Sequence, residues 1–410
     1  MTESVGPMPR GSSTICLPFR HEDYENVVAD PVLFRETLDK FFGDMPELFP
    51  EAFAHGYTMK DSRFSVKSGF RLRRIECNAT GEAFTIRPSF ILPYMTGSTD
   101  EVADALFLRK FGVPFWALTH VFGRNDMYWY RLEVSLGRNS IVGTTVRQAD
   151  LPEHLLGDEH HQTLDGEKVY VATTVGEGCC LGAALSETAS EEGLAPAYGV
   201  FKQEAENVEP GYQPQTVNAD GWAATRAAWL VLFPFIVVIR CFLHGWLNIR
   251  DRSKHLKGLF KTLGDKVWNV FRAENRRSMT QRMRRLREWA KKNLTGAVLE
   301  QVMKLCNRGK EYAETHEHPG CHRTSNMLDR VMRAMNRYFE DGQHLHGSKK
   351  AAGQRCRAWA LMYNFTPWSP ATAKANDGYK CPAERLNRHR YHDNWLHNLL
   401  ISASLNGIRR

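Results

Sequence analysis

The chain has 410 residues, room for two or three domains at roughly 150 residues each. Its 42% hydrophobic and 24% charged content is that of a globular protein and excludes whole-chain disorder. No apolar leader-like run opens it, and the longest apolar stretch, 227–239, is broken by Pro234 and too short for a bilayer, so a cytoplasmic, non-membrane protein is expected.

The net charge of +8 is unevenly spread: 241–310 holds 18 Lys and Arg against 5 Asp and Glu, leaving the rest slightly acidic. A field concentrated in this way suits a polyanion, a nucleic acid or a membrane surface, held by one part of the molecule; a solvated helical face is the plainer alternative. Nine cysteines with no Cys-x-x-Cys pair and no framework spacing read as reduced intracellular thiols.

In chain order, 1–65 reads as an N-terminal helical and flexible region, with helical spacing over 32–42 and Leu33, Thr37, Leu38 and Phe41 on one side. A small β region follows over 66–94, two or three strands around a Thr80-Gly81 turn. Cys77 stands alone there, without the neighbours a zinc ribbon needs.

Over 95–150 the spacing predicts three short helices. Ser98 to Glu101 caps the first, which stops at Gly112; Pro114 opens the second, which ends at Gly123; the third covers 127–136. This pattern resembles a helix-turn-helix whose third helix would carry Tyr128, Arg131 and Arg138 toward DNA. An ordinary three-helix packing unit has the same pattern.

From 155 the alternation changes to period two. Strands are expected at 155–160, 168–175, 179–185 and 215–219, helices at 191–207 and 223–233, and a last strand at 235–240, a continuous apolar run of the kind buried on both faces. A basic helical stretch over 245–315 has breaks at Gly258, Gly264, Gly296 and Gly309. Helices at 326–339 and 349–364 follow, then a polar and aromatic tail over 371–410. Three antiparallel strands, then two parallel strands reached through helices, is the order of a ribonuclease H-like fold. The expected class is therefore α/β (α+β): a catalytic domain over 151–244 and 316–370, interrupted by an all-α insertion and preceded by the helix-turn-helix.

Three acids stand where such a sheet could use them. Asp158 lies in the first strand of this domain, Asp220 directly follows the fourth, and Asp329 sits at the edge of the apolar stripe of its helix. Clustered carboxylates repel one another unless a divalent cation neutralises them, and hard oxygens favour Mg²⁺ or Mn²⁺. Two such ions can drive an in-line phosphoryl transfer. Each Asp alone also reads as a cap or turn residue.

At these residues the sequence resembles the DDE/D transposases of bacterial insertion sequences. Asp158-Glu159-His160 with Gly166 is similar to the first-acid motif, and Asn218-Ala219-Asp220-Gly221-Trp222 with Thr225 and Ala228 to the second. Cys241-Phe242-Leu243-His244 resembles the Cys-x-x-His motif that opens the helical insertion of Mutator-like members. Thr324-Ser325-Asn326 with Asp329, then His346-Gly347 and Trp359 to Asn364-Phe365, resembles the third-acid helix and its sequel. The likeness covers about half of the chain, 155–367. It implies metal-dependent cutting and joining of DNA ends, with Asp158, Asp220 and Asp329 as ligands of two Mg²⁺ (or Mn²⁺) ions. It implies double-stranded DNA partners, terminal inverted repeats and target, bound by a homo-oligomer in the bacterial nucleoid. Asp329 departs from the commoner Glu; Glu340 is the reserve, with Glu317 just upstream. A nuclease of the same fold, or a non-catalytic DNA-binding derivative, are the alternatives.

Cys241 and His244 would brace the insertion against the catalytic domain or touch DNA. A zinc site would need two more ligands, and His316, His318, Cys321 and His322 are the nearby set. In the insertion, Arg276, Arg277, Arg282, Arg284, Arg285 and Arg287 would neutralise phosphates. Trp268 and Trp289 read either as stacking platforms or as packing between helices.

Overall fold

The computed structural model describes residues 13–342 and 344–409; the Pro- and Gly-containing opening, 1–12, lies outside the described residues. Two mixed sheets and a set of helices make up a mixed α/β chain.

The first sheet takes β1 (Thr14–Leu17), β2 (Tyr57–Ser65), β3 (Phe70–Cys77) and β4 (Ala83–Pro88) in the order β1-β4-β3-β2, with β1 parallel to β4 and the other pairs antiparallel. It therefore begins well before the expected start at 66. The region expected to be helical and flexible thus holds two strands: β1, a buried run of only four residues, and β2, which is mostly polar and half-exposed, so that alternation of burial leaves little trace in its residues. The helix expected over 32–42 spans Pro31–Asp44 (α2) after α1 (His21–Ala29); Asp30 accepts from the Val32 and Leu33 amides, and Pro31 occupies the first turn.

The three short helices form as α3 (Thr99–Lys110), α4 (Phe115–Phe122) and α5 (Asp126–Leu136), with a Ser98/Glu101 capping box on α3 and Asn125 capping α5. Helix α6 (Ile141–Thr145) leads into the second sheet.

That sheet is built from β5 (His154–Leu164), β6 (Glu167–Gly176), β7 (Cys179–Ser186), β8 (Thr216–Ala219) and β9 (Val237–Arg240), in the order β7-β6-β5-β8-β9. The first three are antiparallel; β8 is parallel to β5 and β9 to β8. Helices α7 (Glu191–Val208) and α8 (Ala223–Leu232) make the connections and pack with α6 in one core. Strand β9 corrects the expectation of a strand buried on both faces. It is an edge strand, and Phe235 lies in the turn before it, 86% exposed. An apolar run alone cannot tell a central strand from a short edge strand with its turn.

After β9 come α9 (Phe242–Ser253), α10 (Leu259–Phe271), α11 (Arg276–Asn293), α12 (Gly296–Asn307) and α13 (Gly309–Ala313). They share a core of their own, centred on Phe242, Trp246, Leu263, Val267, Met283 and Val302. Gly264, expected as a break, lies inside α10, where the Trp246 ring would stand 3.3 Å from an added Cβ; close packing explains that glycine.

Helices α14 (Asn326–Asp341) and α15 (Lys349–Phe365) return to the second sheet and join its other face to the N-terminal half in the largest core. The junction holds a buried charge cluster. Glu133 accepts from Arg109 at 2.6 Å and from the Tyr338 hydroxyl, and Arg355 lies 3.4 Å away. The final stretch, expected as a tail, is instead core. After α16 (Pro370–Lys374) and α17 (Pro382–Asn387), helix α18 (Trp395–Ser402) is almost wholly buried, and the buried Arg147 donates to Ser402 O and Ser404 O at 2.6 and 2.8 Å. Its polar residues sit inside because their bonds are made there, which composition does not reveal. No helix among the described residues is long and apolar enough to cross a membrane.

Candidate active site

Parallel pairing of β5 with β8 sets Leu156 opposite Asn218. The same register carried two residues on brings Asp158 beside Asp220, the first residue past the end of β8. Asp158 Oδ1 accepts from the Glu159 amide at 2.9 Å, and Asp220 Oδ1 accepts from the Trp222 amide at 2.7 Å. No described residue hydrogen-bonds their second oxygens. Gly221 turns the chain with φ +96°, and any Cβ there would collide with the Arg240 guanidinium. Burial, and then the charges of Asp220 and Glu159, push the Asp158 carboxyl up to about 7.

The neighbours of Asp158 in β5 each have a distinct task. Gly157 lies under the Trp229 indole, whose Nε1 would be 2.7 Å from a Cβ. Glu159 points to the opposite face, buried, where it accepts from Tyr198 at 2.7 Å and from Thr225 at 2.9 Å; these bonds tie the strand to α7 and α8. His160 Nε2 lies 2.5 Å from Asn336 Oδ1 of α14, and burial pushes its pKa down to about 4.

Strand β9 pairs Arg240 with Ala219, and the Cys241 amide donates to Ala219 O at 2.9 Å. Cys241 thus stands next to Asp220, with His244 one turn on. Contact with the Cys241 thiol, helped by the charges of Asp158 and Asp220, raises His244 to about 9 against the cost of burial. Burial opposes ionisation of Cys241, yet its contacts with His244 and Ser325 outweigh burial and lower its pKa. His244 Nδ1 is buried with no well-aligned partner.

Helix α14 runs in the direction of β5: Ser325, at its start, meets Cys241; Asn336 meets His160; and Leu345 bridges Leu164 in parallel. At about 1.5 Å per helical and 3.3 Å per strand residue, the level of Asp158 falls near Met332. Asp329, half-buried, is about one turn earlier and, seven residues before Asn336, on the same face of the helix as that residue. Glu340 is exposed at the far end of the helix, and Glu317 is paired with Arg276 at 3.0 Å. The structure therefore brings Asp158 and Asp220 together and leaves Asp329 on their flank. Among the described residues, no three His, Cys, Asp or Glu side chains are arranged to hold a metal, the His316, His318, Cys321 and His322 set included.

The donors present nevertheless suit a hard cation. Asn218, on the same strand face as Asp220, donates through Nδ2 to His322 O at 2.7 Å, while its Oδ1 is buried without a partner. Two repelling carboxylates and, two residues before Asp220, an orphaned carbonyl oxygen are donors of the kind Mg²⁺ or Mn²⁺ takes. Asn218 was not singled out from sequence; its spacing of two from Asp220 on a strand was the available signal.

The expected DNA-contacting residues divide. Helix α5 buries Trp129 and Leu132 to Leu136. Tyr128 donates to Thr96 O at 2.6 Å; Arg131 and Arg138 are exposed. In α11, Arg276, Arg277, Arg284 and Arg285 are exposed, whereas Arg282 donates to Asn269 O at 2.8 Å and Arg287 to Asn307 at 2.9 Å. Trp268 packs among Phe242, Trp246 and Phe271, and Lys266 lies 5.2 Å over the Trp289 ring. No family model and no curated protein matches the chain.

Proposed function

We propose that this protein is a divalent-metal-dependent DNA transposase, with a ribonuclease H-like catalytic sheet interrupted by the basic helices α9 to α13. The order β7-β6-β5-β8-β9 supports that fold, and the separate core of the helices supports their reading as an insertion. The observation that carries the proposal is the closeness of Asp158, on β5, to Asp220, the first residue past the neighbouring β8, with the unpartnered Asn218 oxygen two residues before Asp220.

Asp158, Asp220 and Asp329 would hold Mg²⁺ or Mn²⁺, with Asn218 Oδ1 adding a neutral oxygen. When bound, such ions activate an attacking hydroxyl and stabilise the leaving oxygen of phosphoryl transfer. The chain's own residues set the stage. Glu159, Tyr198 and Thr225 fix the strand behind Asp158. His244 keeps its proton at neutral pH and offsets negative charge beside the two acids. The exposed arginines of α11 neutralise DNA phosphates without reading sequence.

The test is strand nicking and joining on duplex DNA bearing the inverted repeats that flank the coding region, with Mg²⁺ supplied. Asp158→Ala and Asp220→Ala are expected to lose at least about 100-fold in nicking; undiminished activity in either overturns the proposal. Nicked DNA without joined products would identify a nuclease of the same fold instead.

A further inference from the structure

A second site lies outside the five-stranded sheet. The N-terminal sheet, the loop 91–95, the end of α5 and the turn after α18 enclose a cavity of about 250 Å³. Among the described residues its lining includes Lys67, Arg87 and Arg138 and not one Asp or Glu, with hydroxyls from Thr14, Ser65, Ser68, Thr85 and Ser135.

Elsewhere this chain partners the arginines it buries. Arg109 and Arg355 share Glu133, Arg357 binds Glu204, and Arg147 is held by the Ser402 and Ser404 carbonyls. Arg87 is half-buried; its enclosed Nε has no partner, as is true of Arg287 Nε and Arg355 Nε, but unlike those two its guanidinium has no partner at its other atoms either among the described residues. Among the described residues, neither it nor Lys67 nor Arg138 has an ion pair or a side-chain hydrogen bond. Three cations gathered around one cavity repel one another, and a buried guanidinium N–H without an acceptor is costly. A ligand that brings its own negative charge relieves both.

The cavity also offers a flat platform. Tyr94 is 47% exposed with φ +67°, a conformation disfavoured for a tyrosine, and strained residues of this kind gather at ligand sites. The Arg138 guanidinium lies 5.2 Å over its ring, so an aromatic and a cation are already aligned for a planar group. Forked guanidinium donors suit phosphate oxygens, and aromatic–arginine platforms stack bases.

We propose that this cavity binds a nucleotide, its phosphate held by Arg87 and Lys67 and its base stacked at Tyr94 and Arg138. The nucleotide is either free or part of a single-stranded nucleic acid. The assignment does not rest on the metal-dependent reading, because no lining residue belongs to the second sheet.

The experiment is calorimetric titration of the full chain in EDTA with deoxyadenosine monophosphate, deoxyadenosine, inorganic phosphate and a single-stranded pentanucleotide. Saturable binding of the monophosphate or the pentanucleotide is expected, at least about tenfold weaker in Arg87→Gln and several-fold weaker in Tyr94→Gly. The glycine relieves the positive φ, so a loss of binding there reads the ring and not the fold. Equal affinity for monophosphate and pentanucleotide supports a free nucleotide as the ligand; a clear preference for the pentanucleotide supports a nucleic-acid strand. Binding by neither, or binding unchanged in Arg87→Gln, overturns the site; inorganic phosphate binding as tightly as the nucleotide overturns the stacking role of Tyr94.

Discussion

Cys241 and Ser325, 84 residues apart, meet through Sγ and Oγ at 3.4 Å, and the Ser325 amide donates back to the same sulfur at 3.3 Å. One residue precedes the basic helices and the other follows them, so this contact closes the base of the whole unit. The Phe242 amide, donating to Arg323 O at 3.2 Å, adds a second stitch.

Removing that sulfur should loosen the base without unfolding the helices, which keep their own core. Cys241→Ala is expected to cost on the order of 1–2 kcal/mol. It should also drop His244 from about 9 toward its ordinary value, because contact with the thiol is the main cause of its elevation. Limited proteolysis at the 241 and 323 junctions, and imidazole titration by NMR, check the two effects separately.

The raised Asp158 carboxyl makes a signed prediction for the metal-free protein. Its folded pKa, about 7, exceeds its unfolded one near 3.8. The stability it contributes is therefore full below pH 4 and is lost as pH rises through 7. Asp158→Asn should match the parent near pH 4 and exceed it at pH 8 by on the order of 2–4 kcal/mol. On the proposed function, Mg²⁺ should raise the parent's melting temperature at pH 8 and leave that of Asp158→Asn nearly unchanged.

His160 has the opposite sign. Its pKa is depressed to about 4, so its contribution is full above 6.5 and is lost as pH falls toward 4. Replacing it with Gln, which keeps a bond to Asn336 within reach, should flatten the acid limb of a denaturation-against-pH curve and leave the limb above pH 7 alone.

Glu133 holds two buried guanidinium groups and the Tyr338 hydroxyl. Glu133→Ala strands both cations and should cost about 3–5 kcal/mol. A triple change of Glu133, Arg109 and Arg355 to apolar residues of similar size should cost less than that single change, as chemical denaturation of the two variants would reveal.

The arginines of α11 should separate by exposure. Arg284→Ala with Arg285→Ala should leave melting unchanged but reduce DNA affinity and flatten its salt dependence by about two phosphate contacts. Arg287→Ala, which breaks the bond to Asn307, should lower stability by about 1 kcal/mol. Salt titrations of DNA binding beside thermal melts distinguish the two classes.

Much of the element pattern was legible in the residues. Strands β6 and β7, helix α7 and the capped helices α3 and α5 lie within a residue or two of where periodicity and caps put them, because both signals act over a few neighbouring residues. Strand β2 was hidden because both its faces are partly wet. The edge position of β9 and the burial of α18 were hidden because exposure depends on what the rest of the chain lays against an element.

The chemistry divides along the same line. By itself the sequence determined the acids at 158, 220 and 329, the Cys241/His244 pair and the basic run, since residue type and local period need no partners. Only the tertiary structure decided that Asp158 abuts Asp220, that Asn218, two residues before Asp220, buries an oxygen without a partner, that Glu159 is a buried anchor, and that Lys67, Arg87 and Arg138 share a cavity. Those facts follow from strand register and from contacts between segments tens to hundreds of residues apart, and no local pattern of side chains encodes which distant surfaces will meet.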